Sequence, residues 1–274
     1  MDTETNRNRH LAPDSLIFDV DGVLIEVGES FPEAIRITVE RIWEDAGLEV
    51  DMPGYSLVHN EVLKRHGAFN DDYDIAWMLL NIAASRLGNR RKLSEAYPEP
   101  GVLQKLVAPC GEDYVSWFES AFPLRFEREH VRCLAAGAYF GNGVEEGTYR
   151  REHPLIHSNW RDLPLPVYIY SGRDLAEWEP GKKILGWEDF PDDRVVHRGT
   201  GMIKPSPEGL FYLCRTFGHD CPLFFGDTMS DKLAHKAFGK GAFVAIGDIL
   251  SDEQLSYPDA DSALADLIGW ESES

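Results

Sequence analysis

Residues 16–24 read LIFDVDGVL: an apolar stretch that runs straight into two carboxylates, Asp19 and Asp21, one residue apart. In a strand, residues i and i+2 point the same way. The pair therefore crowds its charges unless a cation or a division of labour uses both. Three further stretches behave alike. PVYIYSG (166–172) finishes in Ser171-Gly172, with Arg173 next; the weaker RVVHRG (194–199) leads into GMIKPSP, which supplies Lys204. PLFFGD (222–227) finishes in Asp227, followed by Thr228 and, four residues on from Asp227, by Asp231. Each fragment alone is an ordinary turn. Together they deliver a carboxylate pair, a hydroxyl, an ammonium and a second carboxylate pair to one edge of a sheet, provided the strands lie parallel.

Clustered carboxylates with a lysine make a site for a hard cation and an oxyanion. Mg²⁺ takes oxygen ligands, uses one or two carboxylates and keeps several waters. The candidate metal ligands are Asp19, Asp21 (through its carbonyl), Asp227 and Asp231. The candidate phosphate-binding residues are Gly22, Ser171, Gly172, Arg173 and Lys204, which offer amides, a hydroxyl and cations to phosphate oxygens. One carboxylate, kept ionised against the metal, can attack phosphorus. Its neighbour, off the metal, can protonate the leaving oxygen and later take a proton from water. Asp19, Asp21, Ser171 and Lys204 are thus the candidate catalytic set.

These residues need a frame. Residues 15–20, 166–172, 194–199, 222–227 and 241–248 read as strands, and 206–218 (Ser206 as N-cap, Pro207 first) and 230–240 as helices between them. Alternating strand and helix predicts an α/β fold: a Rossmann-like three-layer core around a central parallel sheet. EPGKKILG (179–186) reads as a helix interrupted by Pro180. Between residues 30 and 157 the pattern is helical throughout, at 31–48, 71–88, 111–122 and 125–140, with no strand. The expected division is a core domain of residues 1–28 and 158–274, and an inserted all-α domain of 29–157. Trp43, Trp77, Trp117 and Phe118 fall at helical spacing and read as the core of that insert. Its basic residues Arg36, Lys64, Arg65 and Arg86 read as mostly solvated, the alternative being contact with a second anionic group of the substrate; Asn70, Asp71, Asp72 and Asp74 read as caps of the helix that starts near 71, the alternative being a hydrogen bond to a substrate hydroxyl. His153 and His157 read as ordinary surface or hinge residues.

A chain of 274 residues with 43% hydrophobic content can bury a substantial core, and 11% aromatic content excludes a disordered acidic chain. No apolar run reaches membrane-spanning length. The polar start, MDTETNRNRHLAPDS, has no apolar signal core and reads as an unstructured lead-in. The net charge of −20 argues against nucleic acid or an anionic membrane as partner. Lysines number 9 against 18 arginines, and an acidic, lysine-poor surface suits a high-salt interior. Four cysteines without CxxC or zinc spacing read as reduced thiols, which points to the cytoplasm.

The set DVDGVL (19–24), YIYSGR (168–173), Lys204-Pro205 and GDTMSD (226–231) resembles the four motifs of the haloacid dehalogenase superfamily, in order and over the whole α/β part. The resemblance implies Asp19 as the nucleophile that forms an aspartyl-phosphate and Asp21 as general acid/base. It implies Ser171 and Lys204 on phosphate, Mg²⁺ on Asp19, the Asp21 backbone and Asp227, and Asp231 orienting Lys204 or a metal-bound water. The insert resembles the C1-type cap of subfamily I, which closes over the site and chooses the substrate. GESFPEAIRITVE (28–40) and HGAFNDDYDIAW (66–77) are similar to a subfamily IA group of archaea and cyanobacteria. Asp21 separates the chain from the 2-haloacid dehalogenases and phosphonatases, which lack an acid/base aspartate there. The expectation is a Mg²⁺-dependent phosphatase acting on a small phosphorylated metabolite. The alternatives are a phosphomutase of the β-phosphoglucomutase type and a non-catalytic module on the same fold.

Overall fold

Strong helical periodicity across one contiguous stretch, flanked by strand-rich segments, folds as two compact units: Val27–Glu152, and Met1–Glu26 with His153–Ser274. The computed structural model describes residues 12–51, 56–88, 92–111 and 113–270. Residues 1–11 of the expected lead-in lie outside these.

The first unit is helical: α1 (Phe31–Asp45), α2 (Leu57–Lys64), α3 (Asp72–Ser85), α4 (Leu93–Ala96), α5 (Pro100–Val107), α6 (Tyr114–Ala121) and α7 (Arg128–Phe140). Trp43, Trp77, Phe118 and Tyr139 are fully buried in its core, and Trp117 packs against them. Asp71 caps α3, accepting from the N–H groups of Tyr73 and Asp74. Arg36 pairs with Glu33 and Glu40, Lys64 with Asp72, and Arg86 donates to the Ala96 carbonyl. Ser30 and Tyr139 both donate to Glu152 Oε1 at 2.9 Å, tying the two ends of the unit to each other.

The second unit holds β1 (Ser15–Phe18), β2 (Ile25–Glu26), β3 (His153–Pro154), β4 (Val167–Tyr170), β5 (Val195–Val196), β6 (Pro222–Gly226), β7 (Ala242–Ile246) and β8 (Ser256–Tyr257). Its helices are α8 (Leu175–Leu185), α9 (Glu208–Phe217), α10 (Met229–Phe238) and α11 (Ala260–Ile268). Six strands form one parallel sheet in the order β5-β4-β1-β6-β7-β8. Counted along the chain, that is the 3-2-1-4-5-6 order of the Rossmann-like fold. The register sets Ile17 beside Tyr168 and Phe224, and α9 and α10 cover this face with Leu210, Leu213, Ala234 and Phe238. On the other face Phe18 stacks on Phe225 with centroids 4.5 Å apart.

Several elements differ from the sequence reading. A strand does occur before residue 157: His153–Pro154 pairs antiparallel with Ile25–Glu26, and this two-residue ribbon draws both segments into the α/β unit. A two-residue strand is too short to leave a periodic trace. Helix α8 runs through Pro180, because the Asp174–Glu177 capping box anchors its start and proline removes only one N–H. Helix α9 begins at Glu208, one residue later than expected, with the Ser206 hydroxyl accepting from the Glu208 N–H. The elements α2, α4, α5, β8 and α11 had no counterpart in the reading.

Candidate active site

Strand β1 ends at Phe18, and Asp19 continues the ladder by donating its N–H to the Phe225 carbonyl of β6 at 2.9 Å. That bond holds its side chain at the carboxyl edge of the sheet's middle, 6% exposed. Lys204 arrives from the loop after β5. Its Nζ lies 2.7 Å from Asp19 Oδ1 and 2.5 Å from Asp231 Oδ1, and all three residues are buried. Burial raises the Asp19 carboxyl; Lys204 pulls it back, Asp231 and Asp21 push it up, and the balance stands at about 7. Burial alone would lower the Lys204 ammonium, but Asp19 and Asp231 outweigh it and hold it above its usual range.

Asp231 is anchored from the other side. It is the third residue of α10, and its Oδ2 accepts from the N–H and the hydroxyl of Thr228, at 3.1 and 2.6 Å. One carboxylate thus caps a helix and grips the lysine. The T-x-x-D spacing is a capping-box pattern readable in the sequence; Thr228 was not singled out there.

After Asp19 the chain folds into a tight turn. The Val20 carbonyl accepts from Leu24 and Ile25, and the Gly22 N–H donates to the Ile25 carbonyl. Gly22 has φ +73°, and a Cβ there would fall 2.2 Å from Asp227 Oδ2. Glycine at 22 is what lets the Asp227 carboxylate lie over this turn. Asp19, Asp227 and Asp231 each present a carboxylate oxygen within 4.8 Å of the others. An all-oxygen donor set of this kind fits a hard divalent cation such as Mg²⁺. Within this group Asp19 and Asp231 also meet Lys204, Asp231 meets Thr228, and the Asp21 carbonyl belongs to the turn that follows Asp19.

Ser171 and Gly172 follow β4, the strand beside β1. The Ser171 N–H donates to the Val196 carbonyl, and its hydroxyl accepts from the Arg173 N–H at 3.2 Å. Arg173 is 1% exposed, with Nε and Nη2 each 2.7 Å from Asp21 Oδ1 and Nη1 3.0 Å from the Glu177 carbonyl. The fork binds a carboxylate of the site. Arg198 braces the same loop: its N–H donates to the Arg173 carbonyl and its Nε to the Gly172 carbonyl. No spacing in the sequence marks Arg198, and the D-x-x-E capping box marks Glu177 only as the start of α8 and not as a partner of Arg173. His153 and His157 do not join the site; His157 bonds Asp261.

A parallel sheet in this order, with carboxylates and a lysine gathered at its carboxyl edge, defines a class: an α/β chain with the Rossmann-like arrangement of strands. The sequence profile of the haloacid dehalogenase-like hydrolases matches residues 13–239, and the chain belongs to that family. Among solved structures it is similar to phosphatase Tt82 from Thermococcus thioreducens, at 26% identity and a TM-score of 0.61, covering 85% of this chain and 92% of that one. A candidate phosphoglycolate phosphatase from Lactobacillus plantarum shares the fold at 15% identity and a TM-score of 0.52, covering 90% of this chain and 95% of that one. No curated protein matches the chain. Among the described residues, no helix is long and apolar enough to cross a membrane.

Proposed function

We propose that the chain is a Mg²⁺-dependent phosphatase of small soluble phosphomonoesters, such as a sugar, polyol or glycolate-like acid phosphate. The observation that carries this reading is the pair of carboxylates in unlike settings: Asp19 buried against Lys204, and Asp21 two residues on, held by Arg173. The likeness to a phosphatase at 26% identity supports it.

In this reading an Asp19 oxygen attacks phosphorus, and the bond from phosphorus to the leaving oxygen breaks. Asp21 gives that oxygen its proton, and the substrate alcohol departs. Water then attacks the aspartyl-phosphate and loses a proton to Asp21; the bond from Asp19 to phosphorus breaks, and inorganic phosphate leaves. Ser171, the Gly172 amide and Lys204 hold the phosphate oxygens. Asp19, the Asp21 carbonyl and Asp227 would hold Mg²⁺, which supplies positive charge to carboxylate and phosphate alike. The helical unit serves as the cap that selects the leaving group. The free state of the described cysteines supports a cytoplasmic setting.

The test is phosphate release from a panel of phosphorylated metabolites, with Mg²⁺ and with EDTA. Metal-dependent release from one compound class is expected, and Asp19→Asn should lower it by about 10⁴-fold or more, as for loss of a nucleophile. Parent-like activity in that variant would sink the mechanism. Absence of release, with isomerisation of a sugar phosphate primed by its bisphosphate, would make the chain a mutase instead.

A further inference from the structure

Arg173 stands where a phosphate ligand would be sought, directly after Ser171-Gly172, yet its guanidinium is committed elsewhere. It is 1% exposed, and its Nε and Nη2 meet Asp21 Oδ1 at 2.7 Å each. Its Nη1 donates to the Glu177 carbonyl of α8. The backbone is held as well, through the N–H to Ser171 Oγ and the carbonyl to the Arg198 N–H. Gly181 leaves it room: a Cβ at that position would sit 3.3 Å from Nη1 and 3.3 Å from Ile25 Cδ1.

Asp21, by contrast, sits on the turn beyond β1 with its side chain 24% exposed. A short carboxylate on a turn has two rotatable bonds and takes its direction from its partners. Both of these contacts land on the same oxygen, Oδ1, and hold the carboxylate from one side. A fixed planar fork is suited to setting the direction of a carboxylate, which a lysine's single point charge cannot do as well. With three of its guanidinium donors on Asp21 and Glu177 and only 1% of the residue exposed, Arg173 turns its charge to Asp21 and offers little surface to a phosphate.

We propose that Arg173 is a positioning residue for Asp21: it aims the carboxylate for proton transfer and acts through Asp21, not on the phosphate. The inference rests on the phosphatase reading above and assigns one further residue within it.

The experiment compares wild type, Asp21→Asn, Arg173→Gln and the double variant, with Mg²⁺, on two substrates. p-Nitrophenyl phosphate has a leaving group that departs without a proton, whereas glycerol phosphate needs one. Because kcat/KM reports formation of the aspartyl-phosphate, Arg173→Gln should lower it for glycerol phosphate at least tenfold more than for the aryl ester. In the Asp21→Asn background it should bring no further loss beyond about twofold, the signature of residues that act as a unit. An equal fall on both substrates, with KM raised tenfold or more, would make Arg173 a phosphate ligand and overturn the proposal; so would losses that multiply in the double variant. If Arg173→Gln shows no cooperative melt, Arg173→Lys carries the same cycle, with a smaller discrimination between substrates expected and equal losses overturning it. Where the wild type turns over another alkyl phosphate of the release panel, that compound takes the place of glycerol phosphate; a wild type inactive on the whole panel overturns the phosphatase reading and this assignment with it, whereas an active wild type with additive losses overturns this assignment alone.

Discussion

Gly22 is the residue with the least latitude in the site. Its φ of +73° is costly for any side chain, and a methyl group would meet Asp227 Oδ2 at 2.2 Å and Cγ at 2.8 Å. Alanine there adds about 1–2 kcal/mol of left-handed strain, and the carboxylate must also swing away. Gly22→Ala is expected to fold, to melt a few degrees lower, since about 1 kcal/mol shifts a domain of this size by roughly 2–4 °C, and to lose more than tenfold in metal-dependent phosphate release. Parent-like release would mean that Asp227 has no need of its place above the turn. Much of the site's position was legible at this scale, because Asp19, Asp21, Ser171 and Asp227 are the polar residues at which apolar runs stop. What Arg173 does was not legible. Its direction is set by the Glu177 carbonyl and by the room at Gly181, which are neighbours in space along α8 and carry no pattern of their own.

Among the elements, α3 carries an acid into the core of the helical unit. Asp74 is fully buried and bonded by Arg128, Arg132 and the Tyr114 hydroxyl, while Asp71 at the helix cap also meets Arg132. Burial opposes its charge, but the bonds from Arg128 and Tyr114 and the charge of Arg132 win, and the carboxyl lies below its ordinary range. A lowered carboxylate contributes stability that is present above its unfolded value of 3.8 and is lost as pH falls through its lower folded value. Asp74→Asn should therefore destabilise the unit by about 3 kcal/mol at neutral pH, the low end for breaking a buried pair. It should also flatten the loss of stability below pH 4. Thermal melts against pH read both effects, and an unchanged acid limb would refute the assignment. In the sequence its place near the start of the helix reads as a cap, and Asp71 does cap α3; Asp74 goes inward because arginines of α7, many residues away in the chain, are there to meet it. Long helices left clear traces because each repeats its period several times, and the buried strands because each is a continuous apolar run that stops at charge or glycine. The ribbon of β2 and β3 and the single turn of α4 are too short to repeat anything.

For the whole molecule the governing number is the net charge of −20, from 47 acids against 27 bases. Like charges on a folded surface repel, and added salt shortens their reach, from a Debye length of about 10 Å at 0.1 M to about 3 Å at 1 M. The melting temperature should rise by several degrees between 0.1 and 2 M KCl, and a flat or falling profile would show that the acids are already compensated by their local pairs. The order of the sheet has a consequence of another kind. Strand β1 is its centre, flanked by β4 and β6, yet it leaves the ribosome before the five other strands of the sheet. The whole helical unit is synthesised before Val167 appears, an interval on the order of ten seconds at ordinary translation rates. Throughout that interval LIFDVDGVLI is a nascent apolar segment without its partner strands, of the sort that seeds aggregation. Charges within such a segment discourage intermolecular pairing, and Asp19 and Asp21 put two of them into it before there is a site for them to serve.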